Sequence, residues 1–310
     1  MPVPAQNQQY ENFIIRYKQN THGGFDYESD ETFQIVNDLF GILYVPMQEV
    51  PELELSSYSY SSIPRCYTYM DTGALSTSGV TRLHNHPYLK LQGKGTLVAV
   101  IDSGIDYLHP AFHNGVQSKI FSIWDQTLEG GADGRIPFGR EFGRQQIEQA
   151  LASENPWEIV PSSDTNGHGT RSAATAAGYR IEKDNFCGAA PEAEIVIVKL
   201  KQAKNYLRDF YLLPRDIDIF QEDDIMLAIS YVLFIAQEQQ MPLSICIGLG
   251  TSMGAHQGEG PLNEYINSIA AFTQNAVSVP AGNEGTARHH YLREFGPNDT
   301  EDTVELRVGD

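Results

Sequence analysis

The sequence predicts an α/β fold, a mostly parallel sheet with helices on both faces, preceded by a small α+β module. Three observations predict it. Apolar runs at 97–101, 195–198 and 243–247 are continuous rather than alternating, as strands buried on both faces require. Helical stretches separate these runs, at 169–178, 223–240 and 261–273. Ahead of them lies a stretch of shorter runs, set off by Ser, Thr and Gly at 71–79.

Residues 1–70 read as a module of their own. The runs at 13–17 and 41–45 predict strands, and Leu53, Leu55 and Tyr58 within 52–60 predict a third. Phe33, Val36, Leu39 and Phe40 recur at helical spacing, which predicts a helix over 31–40. From Gly95 onward buried strands alternate with helices, and a strand at 276–279 follows the helix at 261–273. The polar segment 125–163 interrupts that rhythm and predicts a surface insertion. Residues 303–308 alternate as a strand beginning. The expected division is therefore 1–70, then 71–285 with an insertion at about 125–163, then 286–310 as the start of an inserted β domain.

Composition narrows the function. The 310 residues carry 40 acidic and 21 basic side chains, a net charge of −19, which opposes binding to nucleic acid or to anionic membranes. An apolar share of 41% with 10% aromatics supports a folded core. No run reaches the roughly 18–20 apolar residues of a membrane span, and the first residues lack the basic and apolar regions of a secretory signal. Cys66, Cys187 and Cys246 are odd in number and far apart, so neither a disulfide framework nor a zinc site is indicated and a reducing compartment fits best.

Three segments carry candidate chemistry. The first apolar run ends in DSGID (102–106), placing Asp102 at the carboxyl end of a buried strand, the edge where α/β sheets gather ligands. In DTNGHGT (164–170), His168 lies between glycines and opens an Ala-rich helix, which lets backbone approach it closely. In VSVPAGNEG (277–285), a strand runs into Asn283, whose amide could donate to a developing oxyanion. Taken singly, each has a bland alternative: a capping aspartate, a structural histidine, a turn asparagine.

In this order the three segments resemble the subtilisin-like serine proteases (peptidase family S8), over roughly residues 95–285. The resemblance implies a subtilisin-like fold with Asp102 as the catalytic aspartate, His168 as the general base and Asn283 in the oxyanion hole. The segments at 101–112 and SIWDQ (122–126) resemble the clostridial spore-germination (Csp) branch. The family's chain order is Asp, His, Ser. The tempting GTSMG (250–254) is read as a decoy, because Ser252 precedes Asn283 and is followed by a glycine-rich run rather than a helix. The nucleophile is expected beyond residue 310, so that this stretch alone would be inactive.

Further expectations follow from the resemblance. Gly248, Leu249 and Gly250 would form the strand that binds an extended peptide, with Gly248 where relatives carry serine. Residues 1–70 would be a prodomain acting as an intramolecular chaperone. Its tail, 58–70, would lie in the cleft, be processed near Tyr67, Thr68, Tyr69, Met70 and Asp71, and stay bound. A permanent, uncut subdomain is the alternative. Expected partners are a protein or peptide substrate, possible proenzymes among them under the Csp resemblance, and the retained prodomain; the expected location is the cytoplasm or the spore of a bacterium. The competing function is a pseudoprotease that binds or regulates without cleaving. No cofactor is indicated: the chain has no D-x-D-x-D calcium loop, and His84 and His86, like His289 and His290, lack companion ligands and read as solvated loops. Asp106 and His109 read as local structure.

Overall fold

In a computed structural model, the structure describes residues 3–17, 32–50, 53, 58–69, 84, 88, 91–131, 134–254, 257–272, 274–282 and 291–305. Alternating apolar residues build the first sheet. Tyr10–Arg16 (β1), Phe33–Ile35 (β2) and Phe40–Pro46 (β3) pair antiparallel in the order β1-β3-β2. The helix expected over 31–40 is not formed. Asn37 turns the chain instead, its Oδ1 accepting the N–H groups of Leu39 and Phe40 at 2.8 Å each. Such a side-chain acceptor offers the backbone an alternative to helix. Two short strands across a tight turn still bury Val36 and Phe40 together, and that spacing imitates a helical face.

The strand Cys66–Tyr69 (β4) follows, and then the main sheet begins. Its strands are Leu97–Asp102 (β5), Ile120–Asp125 (β6), Arg140–Gly143 (β7), Glu194–Lys199 (β8), Leu243–Ile247 (β10) and Asn275–Ser278 (β12). The short strands Phe220–Gln221 (β9) and Leu249–Gly250 (β11) lie outside it. The order is β12-β10-β5-β8-β6-β7, parallel throughout except for the antiparallel edge strand β7. Every residue of β5 is buried, and its side chains divide between two cores. Leu97, Ala99 and Ile101 join one, and Val98 and Val100 the other.

Helices cover both faces: Arg144–Leu151 (α1), Pro156–Ile159 (α2), His168–Ala177 (α3), Asn205–Phe210 (α4), Glu222–Gln239 (α5) and Pro261–Ala270 (α6). The polar segment 125–163 is more than a surface elaboration, since it supplies β7 and α1 and buries Phe138, Phe142 and Ile147 completely. Residues 291–305 contain no strand, so the strand expected from residue 303 is not seen there, and 306–310 lie outside the described residues. Most of the segment 71–90 does too.

The N-terminal sheet shares the core of α5 and α6. Ile14, Val36, Phe40, Ile42 and Tyr44 belong to one apolar cluster with Ile225, Ile229 and Leu262. A buried polar seam runs beside that cluster. Lys204 Nζ, 1% exposed as a residue, donates to the carbonyls of Pro4 (2.8 Å) and Tyr10 (3.1 Å) and to Asn12 Oδ1 (2.7 Å). Asn12 Nδ2 donates to Asp223 Oδ2 at 2.6 Å. Burial, with Lys201 nearby, lowers the Lys204 ammonium to about 7. Replacing Lys204 by Met removes its three hydrogen bonds, to Pro4, Tyr10 and Asn12. Urea unfolding of this chain should then lose about 2–4 kcal/mol, with β1 amides losing hydrogen-exchange protection; unchanged stability would contradict the seam's role.

Candidate active site

Strand β5 ends at Asp102 and helix α3 begins at His168, so both groups arrive at the carboxyl edge of the sheet. His168 Nδ1 lies 2.8 Å from Asp102 Oδ1 and 2.9 Å from Oδ2. Asp102 is fully buried and the His168 side chain is 11% exposed. With carboxylate oxygens as its partners, Nδ1 must carry the proton, so Nε2 is the basic nitrogen of the neutral ring. The Ser103 N–H also donates to Asp102 Oδ1, at 2.7 Å.

Three side chains outside the expected set hold this pair in register. Ser103 Oγ donates to Asp164 Oδ1 (2.8 Å) and accepts the Gly169 N–H (2.9 Å), tying the end of β5 to the start of α3. Asp164 also accepts the Gly167 N–H (3.0 Å) and both the N–H (2.9 Å) and hydroxyl (2.6 Å) of Thr170. Thr170 Oγ1 in turn accepts the Asp106 N–H at 2.9 Å. Burial pushes the Asp164 carboxyl up, but the hydrogen bonds from Thr170, Ser103 and Gly167 outweigh it and leave the group below its ordinary value. Asp164 lies three residues before the N-cap Gly167 and six before Thr170, and it bonds to the turn that leads into α3 as well as to the helix's first turn.

Glycine sets the packing distance. A Cβ at Gly248 would overlap Asp102 Oδ2 and lie 3.2 Å from His168 Cε1. A Cβ at Gly169 would overlap the Gly104 carbonyl. The pair is therefore walled by backbone rather than side chains.

Beside it runs a third sheet, β11-β4-β9. Leu249 opposes Tyr69 and Gly250 opposes Thr68, antiparallel. On the other side Cys66 opposes Gln221 and Tyr67 opposes Phe220, also antiparallel. The chain's own segment β4 thus forms the middle strand of the groove. A cavity of about 430 Å³ adjoins it, lined by Tyr67, Leu249, Gly250, Thr251, Leu262 and Val279.

The structure brings together Asp102, His168 and Gly248, and pairs Leu249 and Gly250 with β4. Asn283, Met70, Asp71 and the Tyr69 side chain lie outside the described residues. Ser252 is exposed, in a loop that reaches α6 only at Pro261. Asp106 and His109 accept the nearby N–H groups of Leu108 and Ala111, which is local structure. His84 is not solvated: it is 7% exposed, with Nε2 2.6 Å from the Ala189 carbonyl oxygen. Among the described residues no group of three or more His, Cys, Asp or Glu could hold a metal ion, and no helix is long and apolar enough to cross a membrane. Strand β9 was not expected at the groove.

A doubly covered parallel sheet with an Asp–His pair at its carboxyl edge is an arrangement that serine hydrolases present, the subtilisin type among them. Residues 93–211 match the model of the Subtilase family. The chain is 29% identical over 196 residues to an intracellular serine protease of Paenibacillus polymyxa, covering 63% of this chain and 43% of that one. It is 30% identical over 125 residues to the subtilisin-like protease SBT1.4 of Arabidopsis thaliana, 35% of this chain and 16% of that one. The structure of the CspB protease of Clostridium perfringens superposes with a TM-score of 0.56 at 29% identity, covering 68% of this chain and 40% of that one. The chain thus carries, over residues 93–211, a segment that matches the Subtilase family, and it resembles the family's Csp branch. It spans less than half the length of these relatives.

Two measurements check the site. Gly248→Ala should push Asp102 and His168 apart, read as loss of the hydrogen-bonded Nδ1 proton signal of His168 in NMR; an unchanged signal would refute the packing account. Asp164→Asn should cost about 1 kcal/mol at neutral pH, the usual worth of such a helix-start acceptor. Because the folded group sits below 3.8, its contribution is present above that pH and disappears as pH falls through the depressed value. The gap between wild type and variant in thermal unfolding should therefore close in acid.

Proposed function

We propose that this chain supplies the Asp–His half of a serine endopeptidase whose nucleophilic serine lies elsewhere in the same protein. The observation that carries the reading is the hydrogen-bonded pair Asp102–His168 beside a groove already filled by an extended strand. His168 Nε2 takes the proton from the serine hydroxyl and returns it to the leaving amine. Asp102 holds the ring's tautomer and stabilises its charged form. Asn283 donates to the oxyanion.

A second feature supports a serine-bearing helix. Between α3 and strands β10 and β12 lies a groove of about 570 Å³, lined by small side chains such as Ala176, Ser244, Cys246, Ala276 and Ser278. Small residues permit close approach of a further helix beside the one that carries His168.

Residues 1–70 act in this reading as a prodomain, 71–285 as the catalytic domain and 286–310 as the entry to an inserted domain. The antiparallel register of Leu249 with Tyr69 and of Gly250 with Thr68 supports the tail as a substrate-like strand, with processing between about Tyr67 and Asp71. The seam around Lys204 then retains the cleaved module. Substrates in trans are proteins with an extended segment, a proenzyme being the one that the Csp resemblance implies, with spore germination as the setting.

Fluorophosphonate labelling and N-terminal sequencing of the full-length protein test this. The expected results are a labelled serine, a new terminus between about Tyr67 and Asp71, no labelling in His168→Ala, and a loss of about 10⁴ in turnover for Asp102→Asn. An unlabelled, well-folded protein with one intact N-terminus would instead identify a pseudoprotease that binds or regulates.

A further inference from the structure

Arg65, directly ahead of β4, is only 5% exposed. Its backbone extends the groove ladder by one residue: the Glu222 N–H donates to the Arg65 carbonyl (2.8 Å), and the Arg65 N–H donates to Glu222 Oε2 (3.1 Å). Its guanidinium turns the other way, into the loop between β11 and α6. There a Cβ at Gly254 would lie 2.7 Å from Arg65 Cζ, and one at Gly260 would overlap the guanidinium nitrogens. Both glycines have positive φ, +89° and +129°, so backbone alone walls the guanidinium on that side.

The cradle also has polar character. Arg65 Nη2 points to the Glu259 carbonyl at 3.5 Å, and the Tyr60 ring lies 5.9 Å from Cζ. Fully buried Glu222 holds the backbone side of Arg65, one carboxylate oxygen accepting the Arg65 N–H and the other the Leu262 N–H at 3.3 Å; burial pushes its carboxyl up, and the Arg65 charge draws it back down. Arg65 Nε is buried with no hydrogen-bond partner. A guanidinium buried so completely is held by shape and by opposite charge, whereas a lysine's point charge would not fill the planar slot between two glycines.

We infer that the loop carrying Gly254 and Gly260, together with Glu222, is an arginine subsite, and that protein substrates are selected for arginine at the position Arg65 occupies, directly ahead of the strand that pairs with Leu249 and Gly250. The inference rests on the reading of β4 as a substrate-like strand. It gives the GTSMG segment a role in recognition. Gly254, at the end of that segment, then packs against the peptide's arginine.

Peptides spanning residues 58–72, with Arg65 kept or replaced by Lys, citrulline or Ala, test it. They are titrated by fluorescence anisotropy against the full-length protein carrying Arg65→Ala, or Arg65→Met should the first fold poorly, so that the chain's own tail competes less. The expected result is binding at least ten-fold tighter for the arginine peptide than for citrulline and Ala, with Lys between, and the same order in KM where the peptides are cleaved. Equal Kd values for arginine and citrulline, or no binding by any peptide, would overturn the subsite. Arginine-selective binding without cleavage or fluorophosphonate labelling would overturn the peptidase reading and leave the subsite standing.

Discussion

A carboxylate with no exposure to water has to be compensated where it sits. Asp102 is such a group, and an isolated buried charge of that kind costs several kcal/mol. Its compensation comes from the imidazole N–H of His168 and the backbone N–H of Ser103. Every nearby element obeys that requirement. β5 must end at Asp102, α3 must begin at His168, and the β10–β11 junction must carry no side chain where Gly248 passes the carboxylate. Asp164 serves the same end at one remove, locking the start of α3 to Ser103.

The second organising feature is that the chain fills its own groove. β4 lies between β9 and β11, so edge strands that would otherwise expose unpaired backbone are both covered. β9 leads directly into α5, whose first three residues are the buried acids Glu222, Asp223 and Asp224. Each answers a different neighbour. Glu222 meets Arg65 and Leu262, Asp223 meets Asn12, and Asp224 meets Lys201 at 2.5 Å. Burial pushes Asp224 up to about 7 despite Lys201. One corner of the fold thus joins the N-terminal sheet, the groove and α6 through buried acids that each accept hydrogen bonds from a different neighbour.

Much of this was legible. Continuous apolar runs located β5, β8 and β10 because strands covered on both faces leave no alternation to misread. Asp102 and His168 stood out because an acid at a strand end and a glycine-flanked histidine at a helix start are unusual in company. Other features were hidden for physical reasons. Asn37 reversed the chain through its own side chain, so residues 33–40 kept a helical spacing without a helix. β7 and Phe138 were masked by polar neighbours, and burial of His84 against Ala189 depends on contacts remote in sequence. Arg65 gave no local sign at all. Its cradle is made by glycines 189 and 195 residues downstream, and only the folded loop brings them to it.

The account rests on β4 occupying the groove beside Asp102 and His168, and backbone amide exchange in this chain tests that most directly. Residues 66–69, 220–222 and 249–250 should be protected to a similar degree and should lose protection in one shared opening. Exchange of residues 66–69 at free-peptide rates while strands β5 and β10 stay protected would contradict it.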